Sequence, residues 1–258
     1  MTIFVHEAGP EDAPAVVLLH GVGTTGWMWN RQVDALATDL RVLVPDLPGH
    51  GKSNALPWRS MSDTARLVAE VITTLVPGGR AHVVGLSLGG YVAVHLAAAH
   101  CETVIGAIVS GVNVRPFPHP GRLRLIGALM APVMKLGPVL RANARALNVP
   151  AEDLDGYQDA ARTTTRQAFR KVNDEALGFR LPARSGDCPC PVLAVAGENE
   201  HDLTKGSLSD IAAGFPSGEA CLAPGVGHGW NGEKPELFTA MIRARVVNEP
   251  LPGELVPV

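Results

Sequence analysis

Short runs of β-branched apolar residues alternate with longer amphipathic stretches along most of this chain. The runs are continuous and rich in valine, which is typical of parallel strands buried on both faces. They predict strands at 2–5, 16–19, 42–44, 81–84, 104–109, 192–196 and, more weakly, 220–222. The stretches between them predict helices at 27–36, 62–75, 87–99, 203–214 and 235–247. This alternation predicts an α/β fold, with a mostly parallel sheet and helices on both faces.

The alternation is interrupted between residues 114 and 186, where helical patterns dominate and no strand-like run occurs. An insertion of this length between two strands predicts a helical cap, or lid, over one end of the sheet, with 1–113 and 187–258 forming the core. The insertion holds 12 Lys and Arg against 6 Asp and Glu. Its net charge of +6 leaves −9 for the rest of the chain. The surplus indicates either a solvated helical surface or attraction for an anionic substrate or partner.

Composition and charge argue against several classes of function. The 258 residues are 46% hydrophobic and 18% charged, as in a globular protein rather than a disordered one. A net charge of −3 argues against nucleic acid or an anionic membrane as the main partner. The longest mostly apolar stretch, 123–140, contains two charges and two prolines, and residues 1–7 lack the pattern of a signal peptide. We therefore expect a cytoplasmic protein that acts on a small molecule.

The cysteines do not indicate a metal or redox site, and no motif for a cofactor is found. Cys101, Cys188, Cys190 and Cys221 do not have the spacing of a zinc or redox hairpin, and we interpret them as structural thiols. No phosphate loop, dinucleotide fingerprint or metal-ligand cluster occurs in the sequence. We expect neither a cofactor nor a metal.

The strongest chemical signal is Gly85-Leu-Ser87-Leu-Gly89, directly after a predicted strand and directly before a predicted helix. A nucleophile elbow requires this arrangement, because the serine occupies a tight strand-to-helix turn and glycines two residues away leave room for the chain to reverse. The turn would place Ser87 at a helix N-terminus, which favours developing negative charge. Ser87 is therefore the candidate nucleophile.

Two other glycine-rich segments could complete the site. At 20–23, His-Gly-Val-Gly follows a predicted strand and could aim the Val22 N–H at a substrate carbonyl oxygen, together with the N–H of Leu88. We interpret His20 itself as structural, holding this loop by hydrogen bonds. At 225–230, a glycine-rich loop before the last helix carries His228, the candidate general base.

Together these segments resemble the α/β-hydrolase superfamily, in the right order and over nearly the whole chain. The resemblance includes Asp-Leu-Pro-Gly-His-Gly-Lys-Ser at 46–53, which is typical of cap-bearing serine esterases and lactonases. It implies that Asp46 and His50 brace their turn. It also implies the α/β-hydrolase fold, with a helical cap inserted between two strands.

The acid of the triad departs from the usual pattern of that family. There it follows the strand after the cap, usually as an aspartate three residues beyond a glycine. Here Gly197-Glu-Asn-Glu-His-Asp puts Glu200 at that position, and both acids occur in such triads. Asp202 is the alternative if the loop is displaced by two residues.

A serine at the elbow favours hydrolysis of a carboxylic ester, lactone or thioester through an acyl-enzyme. The elbow sequence also resembles that of enol-lactonases. Carbon–carbon bond hydrolysis and cofactor-free perhydrolysis use near-identical triads in this superfamily, and a slow ligand-binding receptor shares the fold. These three remain alternatives.

An apolar substrate cleft is predicted from residues near the oxyanion loop and in the cap. Trp27, Met130 and Met134 are its candidate lining residues. The alternative is that they only pack the cap against the core.

Overall fold

The computed structural model describes residues 2–130, 133 and 135–258. Within them, eight strands form one sheet in the order β1-β3-β2-β4-β5-β6-β7-β8. The strands are β1 Val5–Ala8, β2 Ala15–Leu19, β3 Arg41–Pro45, β4 Ala81–Leu86, β5 Val104–Ser110, β6 Val192–Gly197, β7 Gly218–Ala223 and β8 Val256–Pro257. Strands β2 to β7 are parallel, and β1 and β8 are antiparallel edge strands. The predicted α/β fold with a mostly parallel sheet is confirmed.

The helices of the core follow the predicted alternation with the strands. Those before β5 are α1 Asn30–Leu36, α2 Met61–Leu75 and α3 Leu88–Ala99. Between β5 and β6 the chain forms α4 Pro120–Met130, α5 Gly137–Ala146, α6 Leu154–Thr163 and α7 Arg166–Ala176. After β6 come α8 Asp202–Ala213, the short α9 Trp230–Glu233 and α10 Pro235–Val247. None of the helices in the described part of the chain is long and apolar enough to cross a bilayer.

Neighbouring residues of each central strand pack into opposite layers, although all of them are buried. Val16 and Leu18 contact the layer that contains α1 and α10, whereas Val17 and Leu19 contact the layer that contains α2, α3 and α8. Because side chains alternate across a strand, helices on both faces require an apolar residue at every position. This explains the continuous apolar runs in the sequence.

Three elements differ from the sequence prediction. The first strand begins at Val5 instead of residue 2, since the Phe4 N–H donates to Ser53 Oγ at 2.8 Å outside the sheet. The helix predicted at 27–36 divides into a 3₁₀ turn, Gly26–Trp29, and α1. The edge strand β8 was missed, because it spans only two residues, both exposed, and one of them is a proline.

The segment between β5 and β6, here called the cap, has a small core of its own and is fastened to the sheet layer. Leu140 and Ala144 of α5 pack against Tyr157 of α6, with Trp27 of the core domain beside them. Glu175 of α7 accepts the N–H of Met61 at the start of α2, at 2.9 Å. Burial raises the pKa of the Glu175 carboxyl. These contacts hold the cap over the carboxyl ends of the parallel strands.

Candidate active site

Ser87 lies in the turn between β4 and α3 with φ of 56° and ψ of −114°. A non-glycine residue in this region is strained, and such strain is concentrated at functional sites. The glycines on either side permit the close approach that the turn needs. A Cβ atom on Gly85 would lie 2.1 Å from the carbonyl oxygen of Gly89, and one on Gly89 would lie 2.0 Å from that of Leu19. The predicted strand–turn–helix geometry is confirmed.

The backbone amides predicted to form the oxyanion hole flank Ser87. Leu88 is the first residue of α3, and Val22 lies in the loop after β2. Among the described residues, neither the N–H of Val22 nor that of Leu88 donates to a protein acceptor. By contrast, the N–H of Ser87 is held by the Ser110 carbonyl at 2.8 Å. Two unpaired amides beside a strained serine can stabilise a developing oxyanion.

His20 supports this loop as the sequence predicted. The Leu47 N–H donates to its Nε2 at 2.9 Å, so Nδ1 carries the proton and donates to the Gly21 carbonyl at 2.8 Å. Burial lowers the pKa of His20 to about 4, although the bond to Gly21 opposes the shift. The neutral ring therefore ties the loop after β2 to the turn after β3.

Met28 also supports the oxyanion loop, although no motif in the sequence pointed to it. Its Sδ atom lies 3.2 Å from the N–H of Gly21 and 3.2 Å from the hydroxyl of Thr24, which both donate to it. The same Thr24 hydroxyl lies 2.9 Å from the Gly21 carbonyl, so its one proton is shared between the two acceptors. The loop is thus held from inside the cavity by a side chain that faces substrate space.

His228 is paired with Glu200. Nδ1 of His228 lies 2.7 Å from Oε2 of Glu200, whose side chain is only 3% exposed. The other carboxylate oxygen of Glu200 accepts the N–H of Gly197 at 3.1 Å. Burial lowers the pKa of His228, but the hydrogen bond and the charge of Glu200 raise it by more, so its pKa lies above the usual value. The pair can hold one tautomer of the ring and stabilise an imidazolium.

Asp202, the alternative acid, is not brought to the histidine. Its side chain is 95% exposed and pairs with Lys205 at 3.2 Å, one turn along α8. It belongs to the first turn of that helix. The structure therefore places Glu200, and not Asp202, beside His228.

The chain at the end of β5 packs against the imidazole of His228. Gly111 has φ of +66°, and a Cβ atom there would lie 2.7 Å from Cε1 of His228. Ser110 accepts the indole N–H of buried Trp230 at 2.9 Å. Gly111, after β5, and Trp230, after the histidine loop, thus fix the position of the His228 ring together.

Asn231 and Glu233 connect the histidine loop to the rest of the site. The side-chain amide of Asn231 donates to the Met28 carbonyl at 2.9 Å. Glu233 accepts the Gly227 N–H at 3.0 Å and the side-chain amide of Asn148 at 3.1 Å. The loops after β2 and β7 and a residue of the cap are therefore tied together around the cavity.

Ser87, His228 and Val22 line one cavity of about 310 Å³ between the sheet and the cap. Trp27 lines it as predicted, with Met28 beside it. The cap contributes Asn143, Leu147, Val149, Pro150, Asp153, Tyr157, Phe169 and Asn173. Met134 and the side chain of Met130 lie outside the described residues, so their predicted contact with substrate stays a prediction.

The cavity contains one ion pair that the sequence did not suggest. Arg31 of α1 lies 2.7 Å from Asp153 and 3.2 Å from Glu152, both in the cap. Arg31 and Asp153 line the cavity, with about a third or less of each side chain exposed. Because the guanidinium is already paired, it adds little net positive charge to the substrate space.

Asp46 and His50 brace the turn after β3, as the resemblance implied. Asp46 accepts the N–H of Gly26 at 2.9 Å and that of Lys52 at 2.8 Å. Nδ1 of His50 lies 3.0 Å from the Pro48 carbonyl. Burial, and then the neighbouring His20, lower the pKa of His50 to about 3.

In the described ranges, no group of three or more His, Cys, Asp or Glu residues is arranged to hold a metal ion.

Comparison with known proteins agrees with this geometry. The sequence pattern of the alpha/beta hydrolase family matches residues 16–241. The 2-hydroxy-6-oxononadienedioate/2-hydroxy-6-oxononatrienedioate hydrolase of Burkholderia vietnamiensis is 36% identical over 252 residues, covering 88% of this chain and 85% of that protein. The pimeloyl-(acyl-carrier protein) methyl ester esterase of Vibrio atlanticus is 41% identical over 104 residues, or 40% of this chain and 37% of that protein.

A solved structure supports the fold independently. The enol-lactonase of Burkholderia xenovorans superposes with a TM-score of 0.76 over 96% of both chains, at 22% identity. At that identity the likeness concerns the fold alone.

Proposed function

The chain belongs to the alpha/beta hydrolase family, and from that premise we propose that it is a serine hydrolase that cleaves small carboxylic esters through an acyl-enzyme. One observation carries the proposal: Ser87, on its strained turn, lines the same cavity as His228, whose Nδ1 is 2.7 Å from buried Glu200. A nucleophile, a base and a group that orients the base are the parts such a reaction needs.

Acylation begins when Nε2 of His228 takes the proton from Ser87 Oγ and the oxygen attacks the ester carbonyl. The carbonyl oxygen becomes an oxyanion that accepts the N–H groups of Val22 and Leu88. The carboxylate of Glu200 accepts the Nδ1 proton and stabilises the imidazolium. The tetrahedral intermediate then collapses, and His228 returns the proton to the leaving alcohol.

Deacylation repeats these steps with water as the nucleophile. His228 removes a proton from the water, which attacks the acyl carbon, and Ser87 leaves with that proton restored. The products are a carboxylic acid and the free enzyme. A lactone would follow the same route, with the alcohol and the acid in one molecule.

The cavity lining favours an uncharged, partly apolar acyl group. Trp27, Met28, Leu147 and Phe169 supply apolar surface. Among its described lining residues the one arginine, Arg31, is paired with Asp153 and Glu152. A cavity of about 310 Å³ suits a small acyl or lactone substrate.

The Burkholderia vietnamiensis relative gives a specific reason for a second candidate, the hydrolysis of a carbon–carbon bond in a dicarboxylate. That relative is named for a dioate substrate. A dianion would need unpaired positive charge in the cavity, whereas Arg31 is already paired. The ion pair therefore supports the ester over the dicarboxylate.

The decisive experiment compares p-nitrophenyl esters of graded acyl length with lactones and with a 2-hydroxy-6-oxodienoate. We expect steady turnover of the short esters and a loss of roughly 10⁴-fold or more in Ser87→Ala. Ser62→Ala, an exposed serine on α2, is the matched control and should retain full activity. A single slow acylation without turnover would indicate a receptor, and preference for the dienoate would indicate the carbon–carbon hydrolase.

A further inference from the structure

The cap exposes a concentration of large aliphatic side chains on α4 and just after it. Leu125 is 61% exposed and Leu129 is 70% exposed. Three more side chains in this short range are also exposed: Leu123, Ile126 and Leu136. By helical spacing, Leu125, Ile126 and Leu129 share one face of α4. A group of apolar side chains left in water marks a surface that contacts another apolar phase.

The same part of the chain carries only positive charge. Residues 114–150 contain six Lys or Arg and no Asp or Glu. Five of these six are exposed: Arg115, which pairs with Asp210, and four others, Arg122, Arg124, Arg141 and Arg145. In the described part of the chain, none of the four has a carboxylate oxygen within 4.0 Å. Their charge is therefore available to an external partner.

The helix α5, which follows α4 along the chain, is exposed on one side and forms part of the roof of the cavity on the other. Arg141 and Arg145, one turn apart, lie on its solvent side, while Leu140 is buried in the core of the cap. Asn143 and Leu147, on the same stretch, line the cavity that holds Ser87. A partner that binds the outside of α5 would therefore lie one helix away from the substrate space.

We propose that the exposed faces of α4 and α5 bind the surface of an anionic lipid bilayer. The leucine and isoleucine side chains of α4 enter the boundary between headgroups and acyl chains, and the four arginines contact lipid phosphates. The helix lies on the bilayer and does not span it. This surface goes beyond the ester hydrolysis proposed above and does not depend on it.

The charge distribution distinguishes lipid from a second copy of the chain. A two-fold contact through this surface would place the positive cap of one molecule against that of the other, which is unfavourable. An anionic bilayer instead attracts residues 114–186, at +6, and repels the remainder, at −9, so the protein would be oriented with the cap towards the lipid. The net charge of −3 argued against an anionic membrane because it is the sum of two oppositely charged parts of the chain.

Flotation of the purified protein with vesicles tests the proposal. Vesicles of phosphatidylcholine mixed with phosphatidylglycerol should carry the protein upward, and pure phosphatidylcholine vesicles should carry much less. Because the arginine contribution is electrostatic, raising the salt concentration should reduce the bound fraction. Hydrolysis of a soluble ester and the melting temperature are measured alongside, as indicators of folding.

Two double variants separate the apolar from the charged contribution. Leu125→Ser with Leu129→Ser should lower the partition coefficient on the mixed vesicles by at least roughly tenfold. Arg141→Gln with Arg145→Gln should lower it by roughly tenfold to thirtyfold and remove most of its salt dependence. Val247→Ser and Arg59→Gln, exposed residues outside the cap, are the matched controls and should bind as the wild type does.

Three results would overturn the proposal. The wild type could fail to float with the mixed vesicles, which would leave an acidic protein as the better partner for this surface. The control variants could lose binding as much as the cap variants. Light scattering could show a dimer that becomes a monomer in Leu125→Ser with Leu129→Ser, which would identify the second copy as the occupant.

Discussion

Oε2 of Glu200 lies 2.7 Å from Nδ1 of His228, while the other oxygen of the same carboxylate accepts the N–H of Gly197 at 3.1 Å. The carboxylate is therefore held from its own loop and points at the ring. Glutamate reaches the histidine here because the chain turns back at once after β6, with the Glu200 N–H bonded to the Gly197 carbonyl at 3.0 Å.

Replacing Glu200 by glutamine should retain the fold and lose the charge that stabilises the imidazolium. Turnover of a short ester should fall by roughly 10⁴-fold. The hydrogen bond and the charge of Glu200, which raise the pKa of His228, are lost, whereas the burial that lowers it remains. The pKa of His228 should therefore fall, and the acid limb of the pH–activity profile should move to lower pH. In the wild type, activity should decline as the pH falls through the raised pKa, because a protonated ring cannot accept a proton.

Asp202→Asn is the matched control and should retain nearly full activity, since its side chain is exposed. Glu200→Asp keeps the charge but shortens the reach, and should retain more activity than Glu200→Gln. Loss of turnover in Asp202→Asn, with Glu200→Gln intact, would assign the acid to Asp202.

The turn that carries Ser87, the candidate nucleophile, could be predicted from the sequence, because the signals around it are local: a strand, two glycines at fixed spacing and a helix. The sequence favoured Glu200 as the acid from its distance to Gly197, but it left Asp202 open. The choice depends on the loop conformation, which includes a bond from the Asn199 N–H to the Val226 carbonyl at 2.9 Å, and Val226 lies far along the chain. Met28 and Arg31 were missed for a similar reason, since their roles arise only from contacts with distant loops.

Gly111→Ala should reduce turnover more than it reduces stability. A Cβ atom at this position would lie 2.7 Å from Cε1 of His228, and φ of +66° disfavours alanine. The ring would have to shift, and a displacement near 1 Å costs on the order of 10²-fold in rate. Gly186→Ala, where a Cβ atom meets nothing within 4 Å, is the control. Equal kinetics of Gly111→Ala and the wild type would contradict the packing argument.

The ion pair in the cavity should control selection between neutral and anionic esters. Asp153→Asn removes the closest partner of Arg31, so the ratio of kcat/KM for p-nitrophenyl glutarate to that for p-nitrophenyl butyrate should rise by about threefold to tenfold. Asp155→Asn, an exposed neighbour outside the cavity lining, should leave the ratio unchanged. An unchanged ratio in both variants would mean that Arg31 does not face the acyl group.

The buried histidines should make the fold sensitive to acid. Burial lowers the pKa of His20 to about 4 and that of His50 to about 3, whereas both titrate near 6.5 in the unfolded chain. As the pH falls below about 6.5, the unfolded state takes up protons that the folded state does not. The free energy of unfolding should therefore decrease, by up to about 1.4 kcal/mol per pH unit for each histidine.

Urea unfolding between about pH 7 and 5.5 measures this slope at pH values above the ordinary pKa of carboxylates. The raised pKa of His228 acts in the opposite direction and offsets part of it. His6→Gln, at an exposed position, should not alter the slope, whereas His50→Asn should make it shallower. A free energy of unfolding that is constant over this range would contradict the prediction.

The central claim, that Ser87 attacks the substrate carbonyl, can be tested by trapping the acyl-enzyme. The enzyme is mixed with p-nitrophenyl acetate, quenched in acid within the first turnover, digested and analysed by mass spectrometry. We predict one acetyl group per chain, on the peptide that contains Ser87, and no acetyl group in Ser87→Ala. An acetyl group on another residue, or steady turnover in Ser87→Ala, would contradict the account.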